Sequence, residues 1–116
     1  MSWSILLALP LALMCISDTR AQEFHGVPCR GDCSGHEAGY AWARQRDITR
    51  EGQCERTSSE SFYEGCIAWA REYRFGYERA RSDDVRDSSE CDGTDAEMLG
   101  CEDYVDDLLP ENPSRV

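Results

Sequence analysis

The cysteines constrain the fold of this chain more than any other feature. The 116-residue sequence has seven cysteines, and six of them lie after residue 21. Six cysteines in a short chain predict, if the chain is exported, a framework of three disulfide bonds, whose pairing the spacing alone leaves open. A chain of this length builds one domain with a small core, so the bridges are expected to stabilise it substantially. The six are Cys29, Cys33, Cys54, Cys66, Cys91 and Cys101.

The seventh cysteine, Cys15, lies in an apolar N-terminal segment from Ile5 to Ile16. This segment is too short to span a bilayer, and small and polar residues follow it, which is the pattern of a secretory signal peptide. We therefore predict a signal peptide over residues 1–21, cleaved before Gln22. The mature protein is then secreted or periplasmic and not in the membrane. The alternative is that the segment stays attached as an uncleaved anchor.

The charge is unevenly distributed. The formal net charge is -11, and the stretch from Asp83 to Val116 has twelve acidic residues against Arg86 and Arg115. Residues 22–82 have ten acidic residues and nine arginines. Nucleic acid and anionic lipid surfaces are poor partners for such a chain, because phosphate binding requires positive charge. We expect an unknown protein or cell-envelope component as the partner.

Three helix starts follow from the Ser/Thr-x-x-Glu spacing of a capping box, in which the two side chains satisfy helix-terminal amide groups reciprocally. The predicted fold is all-α: a small disulfide-stabilised domain of about three helices. Residues 22–82 form a helical hairpin core with four cysteines, and residues 83–116 form an acidic segment with a third helix and a frayed tail. The spacing occurs at Ser34 with Glu37, Ser61 with Glu64, and Thr94 with Glu97.

The helices resemble one another in sequence. EAGYAWAR at 37–44 matches EGCIAWAR at 64–71 in five of eight positions, and GCEDYV at 100–105 repeats the Gly-Cys pair. This predicts an internal helix repeat with aromatic residues in the core and close helix approach at the two Gly-Cys sites. The predicted inner faces are Ala38, Ala41, Trp42 and Ile48 in the first helix, Phe62, Cys66, Trp69, Tyr73 and Tyr77 in the second, and Met98, Cys101, Tyr104, Val105 and Leu108 in the third.

The cysteine spacing gives a partial pairing. Cys91 and Cys101 lie together in the acidic third and are expected to form one bridge. If the first two helices are antiparallel, Cys33 lies near Cys66, which leaves Cys29 for Cys54. The alternative for this half of the chain is a local bridge from Cys54 to Cys66.

Part of the chain resembles a known group of proteins. CRGDCSGHEAGYAWA at 29–43, the Asp-Ile at 47–48, Cys54 and SFYEGC at 61–66 are similar to small exported bacterial proteins of unknown function. That group shares Gly-Asp-Cys-Ser-Gly-His-x-Ala-Gly-Tyr-x-Trp-Ala and a later Ser-Phe-x-x-Gly-Cys. The resemblance covers roughly residues 29–70. It implies bacterial origin and export and supplies no chemistry.

Two stretches are candidate binding sites. Arg30, Gly31 and Asp32 form an adhesion tripeptide, which a Cys29–Cys33 bridge would display; otherwise Asp32 is expected to stabilise the positive end of the first helix. The acidic stretch is a candidate site for a cation such as calcium, because hard cations prefer clustered carboxylates. Its candidate ligands are Glu90, Asp92, Asp95 and Glu97.

No sequence pattern indicates an enzyme or a cofactor. The two histidines, His25 and His36, lack the spacing of a zinc site, and no serine or cysteine occurs in a recognised nucleophile motif. The leading prediction is an exported, non-enzymatic, disulfide-stabilised helical module that binds an unknown partner. Calcium binding and adhesion are the alternatives.

Overall fold

Three helices dominate the computed structural model, which describes residues 22–56 and 59–109. They are α1 (Ser34–Gln45), α2 (Glu60–Ser82) and α3 (Asp95–Leu108). This confirms the predicted all-α disulfide-stabilised domain. The predicted signal peptide and most of the predicted tail lie outside the described residues.

A short hairpin that the sequence analysis did not predict precedes α1. Strands β1 (Glu23–Phe24) and β2 (Val27–Pro28) pair antiparallel, with Phe24 opposite Val27. His25 and Gly26 form the turn with positive φ angles of 48° and 78°. Two central residues with positive φ match the right-handed twist of a two-residue hairpin.

Glycines allow α1 and α2 to touch backbone to backbone. A Cβ atom built on Gly39 would lie 1.9 Å from the carbonyl oxygen of Phe62, and one built on Gly65 would lie 2.1 Å from that of His36. A side chain at either position would therefore force the helices apart. The predicted close approach at Gly65 is confirmed, and Gly39 is its counterpart on α1.

The crossing of α2 and α3 repeats this arrangement. A Cβ atom would lie 2.0 Å from the Glu97 carbonyl oxygen at Gly76, and 2.0 Å from the Tyr73 carbonyl oxygen at Gly100. Gly65 and Gly76 are about three helical turns apart, so they lie on nearly the same face of α2. Helices α1 and α3 consequently pack one after the other along that face.

The two loops between the helices also resemble each other in structure. Each begins with an aspartate of positive φ, 52° at Asp47 and 53° at Asp84, and continues into a 3-10 turn, Glu51–Gln53 or Ser88–Glu90. The internal repeat of the structure is therefore a helix–loop–helix unit in which α2 belongs to both copies. Corresponding positions lie 37 residues apart: Gly39 and Gly76, Asp47 and Asp84, Cys54 and Cys91.

All three disulfides are local. Cys91 pairs with Cys101 as predicted, and Cys54 pairs with Cys66, the local alternative. Cys29 pairs with Cys33, so the predicted Cys33–Cys66 and Cys29–Cys54 bridges were wrong. The physical reason is the structure of the loops between helices. The cysteine after each 3-10 turn lies against the next helix in the chain and pairs with a cysteine of that helix.

The predicted helix starts are correct to within two residues. Thr94 caps α3, and its Oγ1 atom accepts a hydrogen bond from the Glu97 N–H at 3.3 Å. The cap of α2 is Ser59, two residues before the predicted Ser61, and its hydroxyl accepts from the Phe62 N–H at 3.2 Å. In α1 the residue at the cap position is Cys33, and Ser34 is the first helical residue.

The core is centred on Trp69, which is 1% exposed and donates a hydrogen bond from Nε1 to the Ile48 carbonyl oxygen at 2.9 Å. Tyr104 is buried, as predicted, whereas Trp42 is only half-buried. The predicted inner face of α1 was largely wrong, because the helix contacts α2 through its backbone at Gly39. Its buried residues are His36, Gly39 and Ala43, while Ala38 and Ala41 are exposed. On α3, Met98 and Leu108 are exposed instead of buried.

Candidate functional site

The hairpin is held against the helices by one carboxylate. Glu72 on α2 accepts hydrogen bonds from His25 Nδ1 and from the Tyr40 hydroxyl, each at 2.5 Å. The His25 ring stacks on Tyr40 with centroids 4.4 Å apart, and Phe24 meets Tyr40 edge-on at 5.4 Å. These contacts fix the turn of the hairpin above α2.

A pocket of about 540 Å³ lies between this turn, α2 and the first interhelical loop. This volume is within the usual range for small-ligand sites in proteins. Val27, Ile67 and Ala68 provide apolar surface, and Glu64 and Glu72 lie about two helical turns apart along α2. The pocket therefore combines an apolar lining with carboxylates that belong to one rigid helix.

A buried histidine holds the first of these carboxylates. His36 on α1 is 0% exposed, and its Nε2 atom lies 2.7 Å from Glu64 Oε2. The contact exists because the glycine crossing brings the His36 backbone against Gly65, the residue after Glu64. The Glu64 side chain is 32% exposed, so it joins the buried histidine to the open pocket.

The hydrogen bonds of His36 indicate its protonation state. Among the described residues, Nδ1 is buried without a hydrogen-bond partner. A proton on Nδ1 would be buried with no acceptor, which is costly, so the neutral tautomer with its proton on Nε2 fits the site. Glu64 Oε2 therefore accepts a hydrogen bond from His36 Nε2.

The second carboxylate accepts a hydrogen bond from Tyr40. Burial, together with the neighbouring Glu72, raises the pKa of Tyr40 above the ordinary tyrosine value. The phenol consequently stays protonated and serves as a donor to Glu72 throughout the neutral range. Glu72 has both oxygens occupied, one by a donor from the hairpin and one by a donor from α1.

Two arginines border the same pocket. Arg71 donates to Glu51 with Nε at 2.5 Å from Oε1, and this pair links α2 to the first loop. The Arg56 guanidinium carbon lies 4.5 Å from the centre of the Tyr63 ring. Arg71 is thus balanced by Glu51, and Arg56 lies on an aromatic face.

The adhesion tripeptide lies in an exposed ring closed by the Cys29–Cys33 bridge. Gly31 has a φ of 81°, and Arg30 Nη1 lies 2.9 Å from Glu60 Oε2. Asp32 Oδ1 accepts from the Ser34 N–H at 3.1 Å and from the Ser34 hydroxyl at 2.5 Å. These hydrogen bonds lower the pKa of Asp32, which lies at the positive end of α1 in spite of the direct bridge.

Each of the four carboxylates of the candidate cation site has a protein partner, and Asp92 and Glu97 share theirs. Glu90 Oε2 accepts from the Arg86 and Asp87 N–H groups in the second 3-10 turn. Arg79 contacts both Asp92, at 2.7 Å, and Glu97, at 3.9 Å. The fourth, Asp95, pairs with Arg44 of α1 at 3.3 Å. Within 22–56 and 59–109, no group of three or more His, Cys, Asp or Glu side chains is arranged to hold a metal ion.

The sequence analysis did not identify the pocket residues as a site. Glu64 was predicted only as part of a capping box, and His36 was noted only for lacking the spacing of a zinc site. A usable signal was the Gly65–Cys66 pair, because it predicts close helix approach next to Glu64. The role of His25 depends on the β-hairpin. Its strands have two residues each, which is too short for an alternation of polar and apolar residues to be recognised in the sequence.

No helix in the described part of the chain is both long and apolar enough to cross a membrane. Comparison with protein-family models, curated proteins and solved structures finds no match.

Proposed function

We propose that this protein is an exported, non-enzymatic module that binds a protein or cell-envelope partner in the pocket between the hairpin and α2. The observation that carries the proposal is the Glu64 carboxylate, which a fully buried histidine holds at the pocket wall. A polar group fixed from behind in a concave, partly apolar surface is a common feature of binding sites. The three disulfides are typical of proteins that fold in an oxidising compartment.

The non-enzymatic part of the proposal rests on the state of the reactive side chains. The six cysteines of the described residues are all in disulfides, so none is a thiol nucleophile. Both histidines donate to carboxylates, in an arrangement that positions Glu64 and Glu72. Binding of a partner requires only side chains held in fixed positions, and this arrangement provides them.

A pair of arginine substitutions tests the pocket. Ala68→Arg adds a long side chain inside the pocket, whereas Ala41→Arg adds the same side chain on the exposed face of α1. The tagged exported protein and both variants are incubated with an envelope extract of the encoding organism. The proposal predicts that the wild type and the Ala41→Arg variant retain a partner from the extract. The Ala68→Arg variant is expected not to retain that partner. Equal retention by all three would contradict it.

The exposed ring favours adhesion as a second candidate function. A disulfide-closed ring with glycine at positive φ presents Arg30 and Asp32 on a tight turn. Asp32→Glu is expected to abolish binding to receptor-bearing cells, because the carboxylate must reach the receptor at a fixed distance. The control is Asp87→Glu. Like Asp32, Asp87 accepts a hydrogen bond from the backbone N–H of the residue two positions later, Ser89. Normal binding by Asp32→Glu would end this candidate.

A further inference from the structure

We propose that the pocket recognises a cation on an aliphatic stem, such as the lysine or arginine side chain of a partner. This inference rests on the proposed function, because it assigns a ligand chemistry to the same pocket. It is carried by the two fixed carboxylates, the apolar surface between them and the charge balance of the wall.

The carboxylates supply the recognition of charge. Glu72 has both oxygens engaged, whereas Glu64 has Oε2 on His36 and, among the described residues, no hydrogen-bond partner at Oε1. A cationic donor that enters the pocket can therefore bond to Glu64 Oε1 without displacing an existing contact. Charge-assisted hydrogen bonds of this kind are the strong ones in proteins.

The surface between the carboxylates suits an aliphatic stem. Ala68 lies on α2 midway between Glu64 and Glu72, and Ile67 and Val27 border the same space. Lysine and arginine bury their methylene groups on apolar surface while the charged end reaches a polar group. An acidic ligand would meet two negative charges here, and a purely apolar one would leave Glu64 desolvated.

The basic side chains of the pocket do not cancel this preference. Arg71 is paired with Glu51, and Arg56 lies over Tyr63, so Glu64 and Glu72 outweigh the remaining positive charge of the wall. The chain as a whole carries a formal charge of -11, which raises the local concentration of cationic partners. Charge complementarity therefore points to a basic segment of a partner protein.

Three probes test the ligand chemistry: Nα-acetyl-lysine amide, its neutral analogue Nα-acetyl-norleucine amide, and the smaller, uncapped 1,5-diaminopentane. They are titrated into the exported protein while the methyl resonances of Ile67 and Ala68 are followed by NMR. The inference predicts saturable shifts with the lysine amide and binding about tenfold or more weaker with the norleucine amide. If the diamine binds more strongly than the lysine amide, the pocket recognises a cation on an aliphatic stem, but its ligand is a small free amine and not a side chain of a partner protein.

Variants locate the binding. Glu64→Gln is expected to weaken binding of the lysine amide about tenfold or more, and Asp106→Asn, on the exposed face of α3, to leave it unchanged. Because Glu64 also holds His36, Ala68→Leu is a second variant: it fills the pocket, keeps both carboxylates and is expected to block the probe.

Two results would overturn the inference. Equal binding of the norleucine amide, or no shift with any probe, would exclude cation recognition. If Ala68→Arg still abolished partner capture in either case, the proposed function would stand without this ligand chemistry. If capture were also insensitive to Ala68→Arg, both would fall.

Discussion

A Cβ atom on Gly39 would lie 1.9 Å from the carbonyl oxygen of Phe62. The reciprocal contact of Gly65 with His36 makes this a crossing of two backbones without intervening side chains. The crossing positions His36 beside Glu64, so the same glycines that pack α1 on α2 also build the wall of the pocket. Stability and the geometry of the site therefore depend on one contact.

Alanine at Gly39 tests this contact. We expect Gly39→Ala to lower the free energy of unfolding by about 1–3 kcal/mol or more, because backbone atoms must move to admit the methyl group. Gly52→Ala is the matched control, since nothing lies within 4 Å of its Cβ position. Urea denaturation measures both variants. A Gly39→Ala protein as stable as Gly52→Ala would show that the helices do not touch at this point.

A double-mutant cycle measures the bond between His36 and Glu64. We expect a coupling energy of about 1.5–3 kcal/mol from His36→Ala, Glu64→Ala and the double variant, because the hydrogen bond joins a buried donor to a charged acceptor. The comparison is the exposed pair Arg86 and Asp84, at 2.9 Å, for which a coupling of about 0–1 kcal/mol is typical. Similar couplings for the two pairs would refute the structural role of His36.

The pKa of Asp32 reports its place at the start of α1. Hydrogen bonds from Ser34 lower this pKa in the folded state, so the stabilisation by Asp32 is present above its unfolded pKa and is lost as the pH falls through its folded pKa. Carboxyl NMR titration should find Asp32 below the ordinary aspartate value. In Ser34→Ala the pKa should rise, because the hydroxyl donor is absent. An unchanged titration in that variant would argue against the contact.

The local disulfides are expected to differ in their contribution to stability. Cys54–Cys66 closes a separation of 12 residues and Cys29–Cys33 one of 4. Chain-entropy arguments then give about 3 kcal/mol for the first and about 2 kcal/mol for the second. Cys54 and Cys66 are also buried in the core, so their replacement by alanine should be the more damaging change in a thermal melt. A larger loss from the Cys29–Cys33 pair would contradict this order.

The sequence predicts the helical framework because capping and periodicity are local signals. Thr94 is the cap of α3, and the predicted stripe of α2 includes its two most buried large positions, Cys66 and Trp69. The Gly-Cys pairs predicted close approach correctly. The close approach at Gly39 was not predicted, since the prediction covered only the Gly-Cys pairs and Tyr40 follows this glycine.

The pairing of the cysteines and the pocket depend on tertiary geometry. An antiparallel arrangement alone placed Cys33 near Cys66, whereas the 3-10 turn brings Cys54 to that helix. His25 reaches Glu72 only because two residues of positive φ turn the hairpin over α2. Neither contact follows from hydrophobic spacing, since the residues involved are polar and far apart in the sequence.

Mass spectrometry of the protein purified from its encoding organism under non-reducing conditions tests the central claim most directly. The account predicts a mature chain that begins at Gln22, with peptides linked through Cys29–Cys33, Cys54–Cys66 and Cys91–Cys101. Peptides joining Cys33 to Cys66 and Cys29 to Cys54 would contradict the local-disulfide framework that holds the pocket. Free thiols in a chain that retains residues 1–21 would contradict the account of an exported domain.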